Sequence, residues 1–375
     1  MRASVCGALV ALGASLSAAG QSPGISRALA ALDQVHAISE VALSPDGRHL
    51  VYGALGRGKR GGADVDVSAL WIVEARDGSH ARPLTACPGA VCDEHGAAWS
   101  GDGAEIAFVT TDAAGQPQIA VAAASGAEVR VITRAHGPLD TPRWSPDRAR
   151  IAFLYSEGAP KIPGPLNPLA RDAGVLSSTV YEQRLAVIAA RGGELRLLGP
   201  ADLNIYEFDW SPDGRRLVVS SAHGSGDDNW WIAELDLLDA ESGAVTTLAK
   251  PKQQIASPRW SGDGRRIAWI GGIMSDETIT GGDVFVMNAA GGPPLDVTPG
   301  LAASVHTITW NGSATRLIAT EFAAGEEVLA AIDVDTPAQR ELWRAPQMIW
   351  ANNVSGFTPG DAGISLSKDG TLSAV

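Results

Sequence analysis

The feature that most constrains this fold is a short motif that recurs at a nearly regular interval along the chain. One copy, DWSPDGRRLVVSS from Asp209, has an aromatic residue before Ser-Pro-Asp-Gly and an apolar run after it. Intervals between copies are 45 to 66 residues, a period typical of arrays of supersecondary units. In the five clear and two degraded copies the turn serine or its equivalent is Ser44, Ser100, Ser145, Ser211, Ser261, Asn311 and Ser367.

Each repeat can be interpreted as four antiparallel strands. Proline fixes φ at the start of the turn, aspartate bonds nearby backbone, and glycine accepts a positive φ, so Ser-Pro-Asp-Gly joins two strands. A third strand such as ALWIVEA from Ala69 and a short fourth strand follow. The pattern predicts an all-β fold, a β-propeller of about seven four-stranded blades with the last blade incomplete.

The aspartates of this motif recur with the period, whereas a catalytic carboxylate is normally a single residue. We therefore expect a structural role in the turn for Asp46, Asp102, Asp147, Asp213 and Asp263. The tryptophans that precede the turn are predicted to pack between adjacent blades, at Trp99, Trp144, Trp210, Trp260 and Trp310.

Composition supports a turn-rich β protein and limits its partners. The 375 residues include 43 glycines and 22 prolines, and 45% are hydrophobic, which is enough for a sizeable core. The formal net charge of −13 argues against a nucleic-acid partner, since phosphate contacts need clustered lysine and arginine.

Residues 1–20 are predicted to be a signal peptide, because Arg2 precedes an apolar stretch too short to span a bilayer and small residues follow it. We expect an exported protein, periplasmic or extracellular, with no membrane span and with residues 21–375 forming the propeller. In an oxidising compartment Cys87 and Cys92, spaced C-x4-C, are candidates for a small disulfide loop. A zinc site is not expected, because the histidines show neither an H-E-x-x-H nor a paired spacing.

The Ser-Pro-Asp-Gly repeats resemble those of TolB-like proteins and of the prolyl oligopeptidase family of serine peptidases. Unrepeated stretches resemble the dipeptidyl- and acylaminoacyl-peptidase-like branch of that family. They are VYEQRLAVI from Val180, AHGSGDDNWWIAELDLLDAESG from Ala222, and GGIMSDETITGGDVFVMNAAGG from Gly271. The resemblance implies a propeller that caps an α/β-hydrolase domain carrying a Ser-Asp-His triad.

This chain departs from the family pattern because its one G-x-S-x-G match, Gly20–Gly24, adjoins the predicted signal peptide rather than a strand-to-helix turn, and because strands and helices do not alternate along the sequence. We expect no catalytic residue in it and no hydrolysis by the chain alone. The first hypothesis is a non-catalytic propeller that gates peptide access and helps to recognise the amino terminus in a parent peptidase. Its partners would be the peptide and the missing α/β-hydrolase domain. The alternative is a free-standing periplasmic TolB-like propeller that binds protein partners.

The candidate substrate-binding residues lie at the end of a Pro-rich insertion between Ser145 and Ser211, the longest interval. In dipeptidyl-peptidase relatives, propeller glutamates reach toward the free amino terminus of the substrate. The resemblance therefore points to Tyr181, Glu182 and Arg184, although an adjacent pair of glutamates is missing; the alternative is an ordinary Glu182–Arg184 ion pair. Glu326 and Glu327 are adjacent but are predicted to be solvated in a hairpin turn. No metal or cofactor is predicted, since the histidines show no ligand spacing.

Overall fold

The computed structural model describes residues 37–60, 63–85, 93–126, 128–160, 180–224, 226–274, 281–346, 364–368, 370 and 373–374. Within these residues the chain forms six four-stranded antiparallel sheets and one two-stranded sheet, each built from consecutive strands. This arrangement confirms the predicted propeller of about seven blades with an incomplete last blade. The signal-peptide prediction for residues 1–20, and residues 21–36 of the predicted propeller domain, lie outside the described residues.

The first three blades are consecutive four-strand meanders. Blade 1 comprises β1 (Ala37–Leu43), β2 (His49–Arg60), β3 (Ala63–Glu74) and β4 (Arg82–Pro83). Blade 2 comprises β5 (His95–Trp99), β6 (Glu105–Thr111), β7 (Pro117–Ala123) and β8 (Val129–Val131). Blade 3 comprises β9 (Leu139–Trp144), β10 (Arg150–Tyr155), β11 (Arg184–Ala189) and β12 (Arg196–Leu198).

The next three blades repeat the plan. Blade 4 comprises β13 (Leu203–Trp210), β14 (Arg216–His223), β15 (Glu234–Asp239) and β16 (Val245–Ala249), with a 3-10 helix, η1 (Gly226–Ile232), between β14 and β15. Blade 5 comprises β17 (Gln254–Trp260), β18 (Arg266–Gly272), β19 (Asp283–Asn288) and β20 (Leu295–Asp296). Blade 6 comprises β21 (Ser304–Trp310), β22 (Arg316–Ala323), β23 (Glu326–Asp333) and β24 (Ala338–Ala345).

The seventh unit closes the ring with the pair β25 (Ser365–Leu366) and β26 (Ser373–Ala374). On one side Ile364 and Leu366 pack against buried residues of blade 6, among them Ile318. On the other side the backbone N–H of Leu43 donates to Ser365 Oγ at 2.8 Å, and Lys368 N–H donates to Pro45 O at 2.8 Å. Blade 7 therefore contacts both blade 6 and blade 1.

The core lies between blades, where the tryptophans before the turns pack as predicted. The indole Nε1 of Trp144 donates to Ala98 O at 3.0 Å, in the blade before it. The same bond forms for three further tryptophans, namely Trp99 to Ala42 O, Trp210 to Arg143 O and Trp310 to Arg259 O. Two arginines that follow the turns add cation–π contacts with the tryptophan of the next blade. The guanidinium of Arg216 lies 5.2 Å from the Trp260 ring, and that of Arg150 lies 5.2 Å from the Trp210 ring.

The antiparallel meander gives the propeller two different ends. The Ser-Pro-Asp-Gly turns join the first strand of each blade to the second. They lie at the same end as the connections from the third to the fourth strand, and this end is here called the turn face. Connections from the second to the third strand lie at the opposite end, here called the loop face. The described residues before β11, helix η1 and the described ends of the β18–β19 connection are all on the loop face.

We predict that Arg216→Ala lowers the free energy of unfolding by about 1 kcal/mol, the range of a partly exposed cation–π contact. Arg215 is adjacent in the same motif but exposed, so Arg215→Ala is the matched control and should change stability by less than about 0.5 kcal/mol. Chemical denaturation monitored by tryptophan fluorescence measures both variants. Equal effects of the two substitutions would contradict the interblade role of Arg216.

Candidate functional site

The five turn aspartates have their carboxylates engaged within the turn. Asp213 Oδ1 accepts hydrogen bonds from Ser211 Oγ at 2.6 Å and from Arg215 N–H at 3.0 Å. Ser211 Oγ in turn accepts from Arg216 N–H at 2.9 Å, which closes the turn. The bond from the serine hydroxyl, the largest cause, lowers the pKa of the aspartate. The same bonds form at Asp46, Asp102, Asp147 and Asp263.

The segment that carries Tyr181 and Glu182 lies on the loop face, against the first strand of the next blade. Gln183 N–H donates to Asn204 Oδ1 at 2.7 Å, and Ile205 N–H donates to Gln183 O at 2.7 Å. Gln183 Nε2 also donates to Ile205 O at 2.9 Å. The segment is thereby fixed to β13, with Glu182 half-buried and Tyr181 38% exposed.

Arg184, the third candidate, is directed into its own blade. Its Nη2 donates to Leu198 O at 3.3 Å and to Gly199 O, at the end of β12. Burial lowers the pKa of the guanidinium, opposed by the nearby charges of Glu157 and Asp202. The structure thus places Tyr181 and Glu182 at the loop face and uses Arg184 to anchor the start of β11.

Other predicted sites are described only in part. Cys87 and Cys92, the candidate disulfide, lie outside the described residues. Among the residues the structure does describe, no group of three or more histidine, cysteine, aspartate or glutamate side chains is arranged to hold a metal ion. In the same part of the chain, no helix is long and apolar enough to cross a membrane.

A layer of polar side chains at bulges in the first strands was not predicted from the sequence. In blades 1 to 6 the pairing of the first strand with the second shifts register near its start. At two of these bulges a glutamate binds the next blade. Glu40 Oε2 accepts from Gly96 N–H and Ala97 N–H at 3.0 and 3.1 Å, and Glu207 Oε2 accepts from Ser257 N–H at 2.7 Å. Both glutamates stand four residues before the turn serine, which is the sequence signal that identifies them.

His95 lies among carboxylates from three blades. Its Nδ1 is 3.7 Å from Asp93 Oδ1, its Nε2 is 3.8 Å from Asp140 Oδ1, and Glu40 lies on the neighbouring blade. Burial by itself lowers the pKa of His95. The neighbouring carboxylates of Asp93, Asp140 and Glu40 outweigh that effect and raise the pKa to about 9. His95 is therefore an imidazolium at neutral pH and links blades 1, 2 and 3.

This charge state predicts a pH-dependent stability. The pKa of His95 in the folded protein, about 9, lies above the ordinary value of 6.5. The stabilising contribution of His95 to the free energy of unfolding is therefore complete below about pH 6.5 and is lost as the pH rises through 9. The difference in unfolding free energy between wild type and His95→Gln should be larger at pH 6 than at pH 9.5. Denaturant titrations at the two pH values measure it, and a difference independent of pH would contradict the assignment.

A second histidine–carboxylate pair is found on blade 6. His306 Nε2 lies 2.6 Å from Glu327 Oε1, and Glu327 is 2% exposed, so the predicted solvated position of Glu327 is wrong. Ala324 and Gly325, with φ of 53° and 86°, form a two-residue turn, so that strand β23 already includes Glu326 and Glu327. The side chains of successive strand residues point to opposite faces, which leaves Glu326 with the partly exposed Arg344 at 3.1 Å.

We predict that Glu327→Ala lowers the free energy of unfolding by about 2 kcal/mol, because it removes the carboxylate partner of a mostly buried histidine. Its neighbour provides the control: Glu326→Ala removes a partly exposed ion pair and should cost less than about 0.5 kcal/mol. Thermal or chemical unfolding separates the two. Similar small losses for both variants would contradict the buried pairing of Glu327.

Sequence comparison finds a bacterial peptidase relative. The chain is 27% identical over 180 residues to the uncharacterized peptidase YuxL of Bacillus subtilis, a match that covers 44% of this chain and 27% of YuxL. No protein-family model matches the chain. The chain therefore spans about a quarter of the length of this relative.

Solved structures place the same fold in two kinds of enzyme. The acylaminoacyl peptidase of Pyrococcus horikoshii aligns with a TM-score of 0.58 at 15% identity, over 84% of this chain and 47% of the peptidase. An oligogalacturonate lyase in complex with manganese aligns with a TM-score of 0.56 at 13% identity, over 88% of this chain and 79% of the lyase. Identities this low show the fold alone. Together with YuxL, the peptidase match confirms the predicted resemblance to the propeller of prolyl oligopeptidase-type peptidases.

Proposed function

We propose that this chain is the non-catalytic propeller of an exported prolyl oligopeptidase-type serine peptidase. In this proposal the loop face meets an α/β-hydrolase domain that supplies the Ser-Asp-His triad, and the propeller controls which peptides reach it. The proposal of export depends on residues 1–20 alone, and the peptide-related role is supported by the resemblance to peptidase propellers. No observation on the described residues favours the free-standing TolB-like alternative.

The observation that carries the proposal is the distribution of exposed large apolar side chains. Among the described residues, five of the twelve lie on outer fourth strands, namely Val129, Val131, Leu295, Leu342 and Trp343. The other seven lie toward the loop face, and they are Ile38, Val180, Tyr181, Trp231, Ile232, Ile273 and Phe322. A contiguous exposed apolar surface commonly marks a contact with another molecule, and in this proposal these seven side chains contribute to one. A domain docked on the loop face would cover them.

Recognition of the substrate's amino terminus is assigned to Glu182. A carboxylate that is half-buried at the loop face can pair with an ammonium group, and a partly desolvated charged hydrogen bond is stronger than an exposed one. Tyr181 next to it is partly exposed and offers an aromatic surface to the adjacent peptide. The net charge of −13 favours the approach of a cationic group.

The propeller itself should not react as a serine hydrolase. Since the one G-x-S-x-G match adjoins the predicted signal peptide, away from any expected strand-to-helix turn, purified chain should neither cleave dipeptidyl or aminoacyl chromogenic substrates nor become labelled by a fluorophosphonate probe. It should bind the peptide amide Ala-Ala-Phe-NH2 about tenfold more tightly with a free than with an acetylated amino terminus, which corresponds to about 1.4 kcal/mol.

Glu182→Gln should abolish this preference, because the amide cannot form an ion pair with the ammonium group. Glu194→Gln makes the same change in charge at an exposed position between β11 and β12, on the turn face, and should retain the preference. Isothermal titration calorimetry of wild type and both variants measures it. Fluorophosphonate labelling, or equal affinity of wild type for the free and acetylated peptides, would overturn the proposal.

A further inference from the structure

Asn204 is a buried polar residue at the base of the candidate recognition segment. It is the second residue of β13 and has no measurable solvent exposure. Placing an amide side chain in such a position is costly unless it forms hydrogen bonds, and an apolar side chain would serve packing better. We therefore look to the hydrogen bonds of the Asn204 amide for its role.

The amide oxygen of Asn204 accepts the backbone N–H of Gln183 at 2.7 Å. Gln183 belongs to blade 3, whereas Asn204 belongs to blade 4, so the bond crosses from one blade to the next. Two more bonds join Gln183 to Ile205, one from Gln183 Nε2 and one to Gln183 O. Together they hold the residue directly after Glu182 at three points on β13.

The support on which these bonds are formed is a buried, paired part of blade 4. Asn204 pairs with Ala222 and Ile205 pairs with Ser221 across β13 and β14, and all four residues are buried. Helix η1, with exposed Trp231 and Ile232, follows directly after β14. A carboxylate attached to such a support loses little conformational freedom when it binds a ligand, which raises its affinity and selectivity.

From this geometry we infer that Asn204 is a positioning residue that fixes Glu182 in the orientation that binds the ammonium group of a peptide. The inference rests on the proposed function of Glu182. Asn204 does not contact the peptide in this account. It acts through Gln183, and its loss leaves the Glu182 carboxylate present but removes a bond that fixes the backbone next to it.

The chain offers a matched control in the next blade. Gln254, the first residue of β17, accepts Met274 N–H on its Oε1 at 2.7 Å, which likewise ties a loop-face segment to a first strand. Met274 itself carries no ionisable group, and its segment lies on blade 5 rather than beside Glu182. Gln254→Ala therefore removes the same kind of bond without affecting the proposed ammonium site.

The test compares Ala-Ala-Phe-NH2 with its acetylated form by calorimetry, for wild type, Asn204→Ala and Gln254→Ala, and records the melting temperature of each. We expect the tenfold preference of wild type for the free amino terminus to fall to less than threefold in Asn204→Ala and to persist in Gln254→Ala. A general loss of stability would lower the affinities for the free and the acetylated peptide by the same factor, so their ratio would not change. If Asn204→Ala does not fold, Asn204→Ser, whose shorter side chain withdraws the acceptor from Gln183 N–H but keeps a polar group, replaces it with the same expectation.

The outcomes separate the two proposals. An unchanged preference in a folded Asn204→Ala, or in Asn204→Ser if that variant replaces it, overturns the positioning role and leaves the function of Glu182 intact. An equal loss in Gln254→Ala also overturns it, because the effect would then be general to the loop face. A wild type without any preference overturns the proposed function and, with it, this inference.

Discussion

The structure depends on the contacts by which one blade is fixed to the next, because the sheets share no continuous strand ladder. Each blade is a separate sheet, so the ring is held together by contacts of side chains and by a few backbone hydrogen bonds between blades, such as that from Ile205 N–H to Gln183 O. The recurring bond runs from the indole of a tryptophan before the turn to a backbone carbonyl of the blade before it. In blade 5 the indole of Trp260 does not form this bond, and Trp260 N–H donates to Asp209 Oδ2 while the Arg216 guanidinium lies over the ring. The repeating motif thus serves blade-to-blade attachment as well as turn formation.

Much of the fold was predictable because the motif specifies local geometry. A Ser-Pro-Asp-Gly turn sets where two strands meet, and its period sets the number of blades. Even the degraded copy at Asn311 forms a turn, in which Ser313 N–H donates to Asn311 Oδ1 at 3.3 Å. The turn residues contact one another within five positions, so their arrangement follows from sequence alone.

The polar layer and the burial of Glu327 were not predictable in the same way. Glu40 binds Gly96, 56 residues away in the chain, and the sequence contains no local pattern that specifies such a partner. Glu326 and Glu327 look alike in sequence, but a tight turn at Ala324 and Gly325 places them on opposite faces of β23. The Glu182 segment was found through the length of its insertion and a family resemblance, whereas its attachment to β13 required the structure.

Residues at the two ends of the propeller have different roles. On the turn face the carboxylates are bound to the serines and backbone of their own turns, which is why so many well-placed aspartates carry no chemistry. The loop face carries seven of the twelve exposed large apolar side chains among the described residues, the proposed recognition segment and helix η1. A fold that is stabilised at the turn face and between blades leaves the loop face free to vary, as connections on rigid scaffolds commonly do.

The central claim is that ligand recognition takes place on the loop face, at blades 3 and 4. Hydrogen–deuterium exchange of the chain with and without an unblocked peptide tests it most directly. The account predicts slower exchange in residues 180–184 and in Gly226–Ile232, with no change in the Ser-Pro-Asp-Gly turns. Slowed exchange confined to those turns, or none at either end under saturating peptide, would contradict it.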